Sequence, residues 1–223
     1  MTDRRKALAL LGLTAAGAMG ATVLPAAHAP AALPAARGVK ESRRERLRRH
    51  FPNVPLRTHD GRSVRFYDHL VKGKKVIINF TYASCSKTCP TTSANLARVQ
   101  ELLGDRVGRD IFLISLSVDP ERDTPDVLAE QAKRYNARKG WTFATGRLQD
   151  IDAIRRRLGV YDSPDLLDHT GMLTFGNEPE ARWGGVPSLD TPKNIVNAVL
   201  RRVDPFKYAE WPVKTTARAG AGR

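Results

Sequence analysis

The two cysteines of this 223-residue chain stand four residues apart, in the segment Asn79-Phe80-Thr81-Tyr82-Ala83-Ser84-Cys85-Ser86-Lys87-Thr88-Cys89-Pro90. Two thiols at that spacing suit metal capture, dithiol redox chemistry or a plain structural disulfide. The C-x-x-x-C loop is one residue longer than the C-x-x-C redox motif, which leaves room for an ion between the sulfurs. It does not forbid a disulfide, which needs the β-carbons brought to about 4 Å. Soft thiolates favour Cu(I), zinc or an iron–sulfur unit. Two cysteines are too few for a standard cluster, and a closed zinc site needs two further ligands.

Pro90 sets the local geometry. Proline suits the first turn of a helix, and the residue before it avoids helical angles. The segment therefore predicts a helix from Pro90 to about Leu103, with Cys89 outside it as the cap and Cys85 in the preceding loop. The positive end of the helix and the charge of Lys87 are expected to favour thiolate at the pair.

The elements around the pair alternate. Val54–Thr58 and Ser63–Phe66 flank His59-Asp60-Gly61-Arg62, and an Asp-Gly between short strands signals a hairpin. Lys75–Tyr82 and Ile111–Val118 are apolar strands. Thr124-Pro125 and Thr191-Pro192 read as helix caps followed by proline, starting helices that end near Ala137 and Arg202. Trp141–Ala144 and Met172–Phe175 are shorter strands, and Asp150–Leu158 is a short helix. Alternation of this kind predicts an α/β sandwich around a largely parallel sheet. Functional groups gather beyond the C-terminal strand ends of such sheets, where Cys85, Cys89 and Asp119 all fall.

The N-terminus reads as an export signal over residues 1–29. Arg4-Arg5-Lys6 precede a weakly apolar run without charge until Arg37, a pattern similar to a twin-arginine signal. Ala27-His28-Ala29 and Ala29-Pro30-Ala31 are candidate cleavage sites, and an uncleaved membrane anchor is the competing reading. Residues 30–49 form an Ala/Pro-rich and then basic linker, with seven Lys/Arg between Arg37 and Arg49 against Glu41 and Glu45. Residues 50–205 are the folded domain, and 206–223 a polar tail. The formal charge of +14 does not imply nucleic acid, because much of it lies in the export segment and linker. An electrostatic contact with anionic lipid headgroups or an acidic partner fits it better.

The cysteine segment, together with Ser117-Val118-Asp119-Pro120-Glu121-Arg122-Asp123-Thr124-Pro125 and Asp168-His169-Thr170, resembles the Sco/SenC family over about Phe51 to Val203. That resemblance implies a thioredoxin-like α/β sandwich with an N-terminal β-hairpin and a central, mostly parallel sheet. It implies copper, as Cu(I) or Cu(II), held by Cys85, Cys89 and His169. It also implies a role in cytochrome c oxidase assembly, with the copper-site subunit of the oxidase or another copper enzyme as partner. Ser86 departs from the family, which often has proline there.

Taken alone, a loop histidine is more often a surface or core residue than a ligand. Two thiolates plus imidazole nevertheless suit copper, since sulfur holds Cu(I) and nitrogen helps accept Cu(II). His50, His59 and His69 read as surface residues, and Met172 as core. The resemblance places Asp119 near the copper, whereas Asp123, whose Asp-Thr-Pro context recurs at Asp190-Thr191-Pro192, reads as structural. Two function classes remain. One is an exported, periplasmic copper metallochaperone. The other is a thiol–disulfide oxidoreductase, with Cys85 and Cys89 as its redox pair, that reduces cysteines of a copper-enzyme subunit. A peroxidase is a weaker third.

Overall fold

The structure, a computed structural model, describes residues 43–161 and 171–208. The apolar run Lys75–Thr81 forms β3, and six of its seven residues are buried. It pairs in parallel with β4, Ile111–Ser117, from Lys75 opposite Ile111 to Thr81 opposite Ser117. β4 pairs in parallel with β5, Trp141–Thr145. Both centre strands are buried almost throughout, as expected for parallel strands covered on two faces.

Antiparallel strands extend this centre. β1, Pro55–Thr58, and β2, Ser63–Arg65, form the expected hairpin. Gly61 at its turn has φ +81°, a conformation that costs glycine little. β1 joins β5. On the other side β6, Met172–Asn177, joins β3, and β7, Arg182–Pro187, joins β6. The seven-stranded order is β2-β1-β5-β4-β3-β6-β7. β7 was not expected, because Arg-Trp-Gly-Gly-Val-Pro has no strand-like alternation. It forms through packing: the Trp183 ring lies on Gly176, where a Cβ would come within 2.3 Å of it.

Helices cover both faces. α2 (Cys89–Leu103), α3 (Pro125–Arg134) and α5 (Pro192–Val203) pack Leu96, Val99, Leu128, Ile195 and Val199 against Ile77, Leu113 and Phe143. The opposite face buries Phe66, Tyr67 and Leu70 of a π-helical turn, Phe66–Val71, and Ile151 and Ile154 of α4, Leu148–Leu158, against Val76, Ile78 and Phe80. Burial of each such large side chain contributes roughly 1.5–3 kcal/mol. Thr124 and Thr191 cap α3 and α5 as expected, their hydroxyls accepting the Val127 and Asn194 N–H groups. α1, Arg43–His50, lies in the basic segment expected to be a linker, and α6, Pro205–Tyr208, follows α5. No helix among the described residues is long and apolar enough to cross a membrane.

A buried ionic cluster closes the end of the sheet away from the thiols. Asp204, after α5, accepts from Arg106 Nη2 at 2.6 Å and from Lys75 Nζ at 2.9 Å. Burial pushes the Asp204 carboxyl up, but the two cations outweigh it and hold the carboxyl below its ordinary value of 3.8. A depressed carboxylate stabilises the fold fully above its unfolded value, and the contribution is lost as pH falls through the folded one. Asp204→Asn is expected to lower stability at neutral pH by about 3 kcal/mol, since it strips a buried guanidinium of a partner. The difference from the unaltered protein should shrink below the ordinary carboxylate range. Urea titrations at neutral and acid pH measure both.

Candidate functional site

β3 and β4 end side by side at Thr81 and Ser117, and the Val118 N–H donates to the Thr81 carbonyl at 2.9 Å. The two loops that carry Cys85 and Asp119 therefore leave the sheet together. The first turns at once, with the Cys85 N–H donating to the Tyr82 carbonyl at 3.2 Å. Ser84, Ser86, Lys87 and Thr88 are exposed. Cys85 and Cys89 beneath them are buried, and both are free thiols.

α2 starts one residue earlier than the sequence predicts. Cys89 is its first residue, and Thr88 stands at the cap. The Thr88 carbonyl accepts the Thr92 N–H at 2.9 Å, so the first helical hydrogen bond already encloses Cys89. The Thr88 side chain makes no cap bond. The Cys85 sulfur takes that place, accepting from the N–H groups of Lys87 and Cys89, the Cys89 thiol and the Tyr82 hydroxyl. Unpaired N–H groups at a helix start favour a negative acceptor.

The two thiols are thereby made unequal, where the sequence suggested a common gain in thiolate. Burial alone would raise Cys85, but the four donors together hold it below the usual thiol value of 9.0. Burial and the Cys85 sulfur both push Cys89 well above it. Cys85 is thus the more acidic of the two thiols and Cys89 the less acidic. The Tyr82 phenol is raised to about 12, first by burial and then by its bond to Cys85, with the Asp119 carboxylate contributing. It stays a donor at neutral pH.

Asp123 has the structural role that the sequence reading gave it, and Asp119 lies in the same loop. Asp119, 5 % exposed, is held by Arg122 Nη1 at 3.1 Å, and its own N–H donates to Ser117 Oγ at 3.0 Å. It acts on Tyr82 electrostatically, beside a cavity of about 630 Å³ that it lines with Arg57, Arg122 and Arg147. Asp123, 1 % exposed, reaches the thiol loop itself. Its carboxylate accepts the Ala83 N–H at 3.1 Å and the Ser117 hydroxyl at 2.6 Å. Burial first, and Asp119 with it, raise the Asp123 carboxyl above its ordinary value. Its structural role is therefore a clamp between two loops forty positions apart in the chain.

His169 and Asp168 lie outside the described residues. The next described residue is Gly171, whose carbonyl accepts the Ser188 N–H at 2.6 Å. The Ser188 hydroxyl in turn accepts from Thr92 Oγ1 at 2.9 Å, in the first turn of α2. The backbone two residues beyond His169 is thus tied to the helix that begins with Cys89. His50 and His69 are exposed and His59 half-buried. The His69 ring accepts the Arg65 N–H at 2.8 Å, and that of His59 accepts the Phe143 N–H at 3.2 Å. Met172 is half-buried at the start of β6 and packs against the cluster that contains both cysteines. Sequence reasoning missed Tyr82 and Ser117. Tyr82 lies three residues before Cys85, a local signal that was available, whereas no local signal joins Ser117 to Asp123 and Ala83.

The profile of the SCO1/SenC family matches residues 40–204. SenC of Rhodobacter capsulatus is 32% identical over 140 residues, which cover 59% of this chain and 62% of SenC. ScoI of Arabidopsis thaliana, solved with copper bound, superposes with a TM-score of 0.56 at 23% identity over 68% of this chain and 96% of that one. BsSco, described with a disulfide switch as a member of the Sco family of cytochrome c oxidase assembly proteins, gives 0.55 at 22% over 67% and 91%. At such identities the structures show the fold, the thioredoxin-like sandwich expected. The matches span from 34% to 62% of the length of curated relatives.

Proposed function

Because the chain belongs to the SCO1/SenC family, we propose that it is an exported copper-binding metallochaperone. It delivers copper to, or prepares the copper site of, a respiratory cytochrome c oxidase. The observation that carries this reading is the buried pair of free thiols, Cys85 and Cys89, gathered at the start of α2. Two sulfurs in an apolar setting fit Cu(I), a soft ion content with few ligands. His169 completes the proposed set as the nitrogen donor that Cu(II) requires. The tie from Gly171 through Ser188 to Thr92 supports it, because it fixes the nearby backbone against the same helix. A relative solved with copper bound supports the choice of metal.

In this reading the protein's own groups bind and release the cargo. Cys85, the more acidic thiol, is the first to offer its sulfur as thiolate. Cys89 gives up its proton as the metal arrives, so uptake releases protons. The Asp123 clamp on Ala83 holds the loop that carries Cys85, and the exposed Ser86-Lys87-Thr88 bridge faces the recipient. Residues 1–29 act as the export signal, and the basic stretch 37–49 meets anionic lipid headgroups.

A second reading is favoured by the inequality of the thiols. A low Cys85 and a high Cys89 suit an attacking and a resolving thiol. Cys85 would attack one sulfur of a partner's disulfide and release the other as a thiol. Cys89 would then displace the mixed disulfide, leaving Cys85–Cys89 oxidised and the partner's two cysteines reduced. Copper titration of the reduced protein, with stoichiometry and spectrum recorded, tests the principal reading. One tightly held copper per chain is expected, and absence of tight binding overturns it.

A further inference from the structure

The loop that follows β4 has two sides. On one it reaches the thiol segment, through the Asp123 carboxylate on the Ala83 N–H at 3.1 Å. On the other it walls the cavity of about 630 Å³ that also takes in Arg57, Thr145 and Leu148. That size is ample for a ligand or a short stretch of chain. The cavity lies at the same end of the sheet as Cys85, since β4 runs into its loop and β5 ends at Thr145.

Its walls favour a negative group. α3 and α4 both begin there, with Thr124 and Pro125 in one wall and Arg147 and Leu148 in another. Helix starts carry partial positive charge, and no side chain caps α4. Arg57 and Thr145 stand directly opposite each other in the β1–β5 pair, so their side chains leave one face of the sheet as near neighbours. Arg57 is exposed and has no ion pair among the described residues. Thr145 is 7 % exposed, and its hydroxyl has no hydrogen-bond partner. An unpaired buried hydroxyl costs the fold stability, and this one stands in a cavity wall beside an uncommitted guanidinium. Arg122 is already turned to Asp119 at 3.1 Å, and Arg147 to Asp150 at 2.7 Å. Exposed Glu121 is the one acid of the cavity without a partner among the described residues. Leu148, 48 % exposed, adds an apolar rim.

We propose that this cavity is a docking site for an acidic segment of a partner protein: a carboxylate accepts from the Arg57 guanidinium and the Thr145 hydroxyl at the starts of α3 and α4, and an apolar neighbour of that carboxylate covers Leu148. The exposed leucine favours a chain over a free anion, because a small carboxylate would leave it in water. A segment seated there runs alongside the loop that Asp123 ties to the thiol segment, and holds its owner beside Cys85. That last step rests on the reading that the thiols serve another protein, and the carboxylate site does not.

The full chain, reduced and metal-free, is titrated against a labelled, cysteine-free peptide of alternating leucine and glutamate, with fluorescence anisotropy as the readout. Binding is expected, weakened by added salt and lost when glutamine replaces glutamate. Arg57→Gln should weaken it about tenfold and Thr145→Val about fivefold. Thr145→Val should not lower the melting temperature, since the hydroxyl has no bond within the fold to lose, and a purely structural hydroxyl would not change affinity. Glu121→Gln should tighten binding, because a like charge leaves the cavity. No binding of the acidic peptide, equal binding of the glutamine peptide, or an affinity unchanged in both Arg57→Gln and Thr145→Val overturns the proposal. So does glutarate bound as tightly as the peptide, which makes the cavity a small-molecule site, and so does binding to phosphatidylglycerol vesicles that Arg57→Gln abolishes. Neither copper nor a disulfide enters the assay, so failure of the copper reading leaves its result standing.

Discussion

Reduced protein carrying both Cys85→Ser and Cys89→Ser is expected to lose tight copper binding, and each single variant to lose most of it. Both sulfurs are buried in one apolar cluster with Tyr82, Val160 and Val118, so a hydroxyl placed there has no comparable attraction for a soft ion. Loss of a group that merely orients a ligand costs about 10–100-fold in affinity, and loss of the ligands themselves must exceed that. Serine is close to cysteine in size, and circular dichroism can verify that the variants fold. A folded double variant that still holds one copper per chain would place the metal elsewhere and end the site assignment. Equilibrium dialysis against a competing Cu(I) chelator makes the measurement.

His169→Ala separates the two readings of the thiol pair. Both sulfurs remain, so Cu(I) should still bind, because two sulfurs satisfy that ion. Cu(II) needs the nitrogen, and its affinity should fall by more than the about 10–100-fold that an orienting neighbour is worth. Its charge-transfer absorption should be lost or displaced. Disulfide exchange depends on thiolate fraction and access, neither of which needs an imidazole, and should proceed at its former rate. Oxidase maturation in cells should fail under the chaperone reading. If His169→Ala matures the oxidase normally and keeps the Cu(II) spectrum, the histidine leaves the site and the oxidoreductase reading takes over.

Much of the scaffold was legible because its signals are local. Thr124-Pro125 and Thr191-Pro192 each combine a capping hydroxyl with a proline that fits only the first turn, and each begins a helix. Lys75–Thr81 and Ile111–Ser117 are too continuously apolar for any place but a covered parallel centre. Asp60-Gly61 marks its hairpin through the one residue that tolerates the turn. Elements without such signals were missed. β7 contains adjacent glycines and exists because Trp183 packs on Gly176. The π-helical turn Phe66–Val71 owes its place partly to Glu178, more than a hundred positions on, whose carboxylate takes the Tyr67 hydroxyl and the Gly73 N–H.

The same division runs through the site. The sequence alone determined that two thiols sit at a strand-to-helix turn, beside the loop that carries Asp119, since residue type, proline placement and strand order depend on neighbours along the chain. Which thiol is the more acidic, and what holds the loop that presents it, only the tertiary structure decided. Cys85 and Cys89 face the same helix end, and a helix dipole by itself favours thiolate at both. They part because Cys85 is lowered by the donors around it, whereas burial and then the Cys85 sulfur raise Cys89. The repeated Asp-Thr-Pro context marked Asp123 as structural, but not what it holds. Burial to 1 % and the approach of Ala83 from β3 make Asp123 the clamp. Hydrogen bonds and desolvation depend on what surrounds a group in space, and here those surroundings come from segments forty positions apart.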